Sequence, residues 1–227
     1  PALTSSRRGH AMRLLKTGIA GLDEFLLGGL PPRVLLIVGT PGSGNEVFAR
    51  QTAYARAKQT GVTYFTMNIA PEFIREDMSA YGWDVTPLEK TGAWEFINLT
   101  KTNQIIDTVT HEIKHHRAVV IDSLSELLIT HKIEEAINLL TTMAVENRET
   151  EECHLVLLTE GMQDKKDETT MEHFAEGVIT FSTTWTADSI TRNIMIKKMT
   201  GTPIPTRRLP YSIGKKGFII ETAIRIT

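Results

Sequence analysis

A chain of 227 residues, 41% hydrophobic and 23% charged, is long enough to bury one sizeable α/β core. Its formal net charge of −2 excludes a global electrostatic pull toward nucleic acid or anionic membrane. The lone Cys153 excludes an internal disulfide, no apolar run approaches membrane-span length and no signal peptide is evident, so the expected compartment is a reducing cytoplasm, with no membrane partner.

Pro1 to Ala11 carries Arg7, Arg8 and His10 without apolar period. Residues 1–15 therefore read as a flexible arm or tag remnant, and 16–227 as a single domain. Thr17 to Leu26 reads as a turn entering a short helix, which Gly28-Gly29-Leu30-Pro31-Pro32 ends. The apolar run Val34 to Val38 predicts a buried strand, and Val47 to Lys58 a helix. Between them stands Gly39-Thr40-Pro41-Gly42-Ser43-Gly44-Asn45-Glu46. Strand, glycine-rich turn and helix N-terminus form the layout of a phosphate-binding P-loop.

The backbone half of that motif is intact. Gly39 and Gly44 stand at its two fixed glycines, and Gly42 adds a residue tolerant of positive φ. The side-chain half is changed: where the motif has Lys then Ser or Thr, this chain has Asn45 and Glu46. The lysine neutralises the β and γ phosphates and the hydroxyl holds magnesium. Losing a charge-assisted hydrogen bond costs roughly 1.5–3 kcal/mol. A carboxylate about 4 Å from a phosphate charge adds roughly 4 kcal/mol of repulsion at an effective dielectric of 20. Tight Mg-ATP binding in the usual pose is not expected. Ser43-Gly44-Asn45-Glu46 also fits the S-x-x-E capping box, with Glu46 in the anion site that phosphate would fill.

Val62 to Met67 predicts a second strand, and Pro71 suits the first turn of a helix running to about Tyr81. Trp94 to Leu99 is a third strand candidate. Ile105, Ile106, Val109 and Ile113 form the apolar stripe of a crossover helix. Ala118 to Asp122 reads as a buried strand ending in an acid, Ile133, Ile137, Leu140 and Ala144 as an amphipathic helix, and Leu155 to Leu158 as another strand. This alternation predicts an α/β fold with a mostly parallel central sheet flanked by helices. After about Gly177 the helices stop. Val178 to Ser182, Ile190 to Lys198 and Phe218 to Ile226 predict an antiparallel C-terminal extension.

Several segments line up with one family in order. They are Thr17-Gly18-Ile19 through Pro31 before the loop, Gly82-Trp83-Asp84, Val119 to Leu124, Glu176 to Ile179, and Ile194 to Gly201. Together they resemble the KaiC-like and RadA-like branch of the RecA superfamily, from about Lys16 to Ile220. The resemblance implies a RecA-like P-loop core, ATP at the loop, and rings or filaments with sites at subunit interfaces. It maps the phosphate lysine and magnesium hydroxyl onto Asn45 and Glu46. It maps a pair of water-activating glutamates onto Asn68 and Ile69, and a trans-acting Lys-Met-Arg onto Lys198-Met199-Thr200. Asp122 matches the acid that helps hold the hydrated magnesium, the one catalytic position kept intact.

Four parts of a phosphoryl-transfer site are thus changed: phosphate cation, magnesium hydroxyl, water base and trans-acting arginine. The expectation is a catalytically inactive pseudo-ATPase that serves as an assembly or regulatory module, forming a homo-oligomer or a hetero-oligomer with an active paralogue. No cofactor is expected with tight affinity. If the loop still binds, its ligands are ATP or ADP with Mg2+, held by Gly39 to Glu46, Asp122 and Lys198, with Asp122 toward the metal. The competing role for Asp122 is a hydrogen bond to nearby backbone or to a serine such as Ser43. Two further readings are a nucleotide-binding protein or slow ATPase with an atypical loop, and an accessory DNA-recombination protein. Against nucleic acid, the loop Gly161 to Thr170 sets Lys165 and Lys166 against Asp164, Asp167 and Glu168. The basic stretch Lys197, Lys198, Arg207 and Arg208 suits a solvated hairpin edge. His111, His115 and His116 read as surface residues of a helix rather than zinc ligands.

Overall fold

The computed structural model describes residues 12–205 and 207–221. One nine-stranded sheet is built from β1 (Val34–Gly39), β2 (Val62–Thr66), β3 (Trp94–Asn98), β4 (Ala118–Asp122), β5 (His154–Thr159), β6 (Gly177–Trp185), β7 (Ile190–Met199), β8 (Leu209–Gly214) and β9 (Gly217–Ile220). The helices are α1 (Leu22–Phe25), α2 (Asn45–Ala57), α3 (Pro71–Ala80), α4 (Thr86–Lys90), α5 (Ile105–Lys114), α6 (Leu124–Thr130), α7 (Ile133–Thr150) and α8 (Lys165–Phe174).

Across the sheet the order is β3-β2-β4-β5-β1-β6-β7-β8-β9. The strands from β3 to β6 run parallel, and β7, β8 and β9 continue antiparallel. This is the α/β architecture expected from the sequence. Every residue of β1, β2 and β4 is buried, because helices cover both faces of a parallel sheet and leave no side for polar alternation. Leu35 and Ile37 pack in one core with Phe48, Ala49 and Ala53 of α2. Val34, Leu36 and Val38 point the other way, into a core with Leu139, Leu140 and Met143 of α7. Parallel pairing also brings the C-terminal ends of β1, β2 and β4 to one edge, with Thr66 opposite Asp122.

The antiparallel end differs from expectation. β8 is an additional strand that the sequence hides behind Pro210, and β9 ends at Ile220, with residues 222–226 of the expected strand outside the described residues. The extension folds back onto the loop after β1. The Tyr211 hydroxyl donates to the Ser43 carbonyl, and the Phe218 N–H donates to Gln51 Oε1 at 2.8 Å. A second difference is α8, which occupies much of the segment expected as an inner loop. Its start is capped by Asp164, whose Oδ1 accepts the Asp167 N–H at 2.8 Å. Only Glu168 and Met171 of α8 are buried, so no apolar period announced it.

Candidate functional site

The loop Gly39–Glu46 joins β1 to α2 at that common edge. Its turn is closed by the Ser43 N–H donating to Thr40 O at 3.0 Å. Gly44 is the N-cap of α2 at φ 82°, a left-handed conformation, and a Cβ there would strike the Ile213 side chain. Gly39 is required for space: a Cβ would collide with Ser43 Oγ and lie 2.9 Å from Asn45 Cγ. The expected capping box does not form. Because Gly44 takes the cap, Ser43 lies one residue too early, and its hydroxyl donates instead to Asn45 Oδ1 at 3.3 Å.

Asn45 is buried and folded back into the loop, its Nδ2 donating to Ile37 O at 3.5 Å. Glu46 is half-buried and faces a cavity of about 290 Å3. Burial raises its pKa above the usual carboxylate value, partly countered by its backbone hydrogen bond and by Arg50. The cavity is walled by the loop on one side and by Asp122, Ser123 and Glu126 on the other. Glu126, two residues into α6, holds the end of β2. Its Oε2 accepts both the Asn68 N–H at 3.0 Å and Asn68 Nδ2 at 2.7 Å.

Among the described residues, the Asp122 side chain bonds to neither backbone nor Ser43. Its Oδ2 accepts the Tyr64 hydroxyl at 2.7 Å and Arg50 Nη2 at 3.3 Å. Arg50, one turn past Glu46 on α2, also donates Nη1 to Asp77 Oδ2 at 2.5 Å and Nε to the Tyr64 oxygen at 3.3 Å. Burial works against the Arg50 charge, but Tyr64, Asp122 and Asp77 together hold its pKa above the ordinary guanidinium value. Burial, reinforced by the Asp122 charge, pushes the Tyr64 phenol well up, so it stays a hydrogen-bond donor.

The fold therefore brings Gly39, Thr40, Pro41, Gly42, Asn45, Glu46 and Asp122 around one cavity, with Ser43 and Gly44 buried behind it. Lys198 lies elsewhere, on β7, where its ammonium donates to Glu172 O at 3.2 Å and to His173 O and Ala175 O at 2.6 Å each. It caps the C-terminal carbonyls of α8. Lys197 pairs with Glu172 at 2.5 Å and the Arg207 guanidinium lies 5.3 Å from the Phe25 ring centre, so part of the basic stretch is used within the chain. The rings of His111, on α5, and His115, its C-cap, are 4.2 Å apart, but no cluster of three or more metal-ligating side chains occurs among the described residues. None of those helices is long and apolar enough to cross a membrane.

With that geometry in view, a family model for the KaiC ATPase matches residues 15–223. The chain belongs to the KaiC ATPase family. Its membership of this RecA-fold family accords with the phosphate-binding loop layout. It is 28% identical to the UPF0273 protein PH0284 of Pyrococcus horikoshii, over 92% of this chain and 94% of that one. To the circadian clock protein KaiC3 of Synechocystis it is 26% identical over 91% of its own length, spanning 45% of that longer relative. Among solved structures, a KaiC-like protein, PH0186, from Pyrococcus horikoshii superposes with a TM-score of 0.80 at 22% identity, covering 93% of this chain and all of that one. That likeness concerns the fold.

Reading the sequence alone passed over Arg50, Tyr64 and Glu126. One signal was available: Glu46 and Arg50 stand four apart on the same helix, the spacing of an acid–base pair on one face. For Tyr64 and Glu126 the sequence carried no signal, since both reach the site by sheet register and loop closure.

Proposed function

We propose that this KaiC-family chain is a pseudo-ATPase: it keeps the fold of its family as an assembly or regulatory module and does not turn over ATP. The observation that carries this reading is the charge of the loop cavity. Glu46, Asp122 and Glu126 line it, and the cation there is Arg50, itself committed to two carboxylates. A triphosphate brings more negative charge to such a wall, and the residues that would offset it, a lysine and a hydroxyl, are Asn45 and Glu46. Asn68 can orient a water but cannot take its proton at neutral pH, and it is already tied to Glu126. Magnesium and ATP, the ligands usual for the family, do not fit this arrangement of side chains.

The partners of such a module are further copies of itself or an active family member, met through the surfaces the fold offers for assembly. The test is titration calorimetry of the folded chain with ATP and ADP, with and without magnesium, followed by mixing with an active KaiC-family ATPase. No heat at millimolar nucleotide, together with a change in the active protein's assembly or turnover, is expected. Micromolar magnesium-dependent binding would overturn the pseudo-ATPase reading, and no effect on any active family member would overturn the regulatory one.

A further inference from the structure

Asn45 and Glu46 alter the loop, but the opposite wall of the cavity carries a separate block. We propose that Arg50 is a built-in lock on Asp122 that denies magnesium its acid independently of Asn45 and Glu46. This inference rests on the pseudo-ATPase reading and specifies how the site is closed.

Three features of the geometry support it. First, Arg50 uses all three nitrogens of its fork: Nη1 on Asp77, Nη2 on Asp122 and Nε on Tyr64. A planar fork held at three points has little freedom to swing away, and unlike lysine it stays charged when buried. Second, the one Asp122 oxygen that faces these groups already accepts two donors. A hydrated dication approaching that oxygen would have to displace the Tyr64 hydroxyl or the guanidinium, and one held through Oδ1 would still sit beside a fixed positive charge. Third, Arg50 is only 7% exposed, so water does little to screen that charge. Asn45 and Glu46 donate or accept none of these hydrogen bonds: Asn45 bonds Ser43 and the Ile37 carbonyl of β1, and Glu46 meets Arg50 and Asp122 through charge. Repairing the loop therefore leaves the lock in place.

The experiment compares wild type, N45K/E46T and N45K/E46T/R50Q by titration calorimetry with ATP, with and without Mg2+, after circular dichroism and melting have shown each to be folded. Glutamine retains much of the stem and a donor for Tyr64 but removes the charge. The double variant is expected to respond to magnesium by no more than about twofold in affinity. The triple variant is expected to gain at least tenfold. Tenfold tightening by magnesium in the double variant overturns the proposal, and this arm decides even if the triple variant does not fold. Folded double and triple variants that both fail to bind also overturn it, because releasing Arg50 then opens nothing. Micromolar Mg-ATP binding by wild type is a different result: it defeats the pseudo-ATPase reading itself.

Discussion

Helix α2 carries two buried arginines, and they are used in opposite ways. At its C-terminal end Arg56, 2% exposed, places Nη2 2.8 Å from each oxygen of Glu152, which is itself buried. At its N-terminal end Arg50 divides its fork among Asp77, Asp122 and Tyr64 beside an open cavity. The first arrangement is closed: the acid and the base are both buried and bonded to each other, with Arg56 Nη1 on Gln59 and Nε left without a partner among the described residues. The second collects one cation and several acids around the loop that has the phosphate-binding layout. Helix, burial and residue type are alike at the two ends, so the difference lies in what surrounds them. The same residue type closes on one buried acid at one end of the helix and is shared among two acids and a phenol at the other.

The largest expected effect falls on the closed end. R56M leaves Glu152 charged and unpaired in the core, a change that costs about 3–5 kcal/mol. Urea denaturation should show it as a drop in midpoint at unchanged slope. R56M/E152M should recover most of that loss, since a well-packed apolar pair of similar volume is often neutral. If the double variant is as unstable as the single, the pair does more than neutralise itself.

At the cavity end the same substitution should cost less. R50M leaves Asp77, whose side chain is 43% exposed, free to be hydrated, and Asp122 keeps the Tyr64 hydroxyl. About 1.5–3 kcal/mol is expected, the range for losing a hydrogen bond to a charged group. A loss as large as that of R56M would erase the distinction between the two ends and make Arg50 a fold residue first.

These contrasts bear on what a single sequence reveals. The runs of β1 and β4 were legible because double-sided burial writes itself as a nearly continuous hydrophobic string, β2 through its β-branched and aromatic residues, and the loop through its glycines. The antiparallel extension was only half legible: Pro210 near the start of β8 argues against a strand, and α8 buries too few apolar residues to leave a period. At the site, the changed loop positions could be read directly, but the partners of Asp122 could not. Tyr64 reaches Asp122 because β2 lies beside β4 in register, and sequence distance says nothing of sheet order. The fate of Lys198 was hidden for a similar reason: the helix it caps lies 23 to 26 residues away and was read as a loop.

The ends also separate by pH. His154, on β5 close to the Arg56 end, accepts the Val119 N–H at Nδ1 and contacts Asn147 through Nε2 at 2.9 Å. That pattern fixes a neutral ring, and burial lowers its pKa from 6.5 to about 3. Because the folded value lies below the unfolded one, stability is intact above pH 6.5 and is lost as pH falls, with a slope of about 1.4 kcal/mol per pH unit for this one group until its folded pKa is reached. H154Q should flatten that limb in melts recorded from pH 7 to pH 4. An unchanged slope would assign the acid sensitivity elsewhere.

Glu46 should give the smallest effect, and of opposite sign. Its folded pKa is raised, first by burial, so the fold favours the protonated form. Any stability this confers is present below the ordinary value of 4.5 and is lost as pH rises through the folded value. E46Q removes the titration, so at pH 7 it should melt above wild type, with the advantage shrinking as pH drops toward 4. That outcome would mean the cavity end stores unfavourable charge that the closed end does not. If E46Q melts below wild type at pH 7, the attraction between Glu46 and Arg50 outweighs desolvation. The acids around the cavity would then be settled ion-pair partners like Glu152, and the asymmetry between the two ends of α2 would be one of shape rather than of energy.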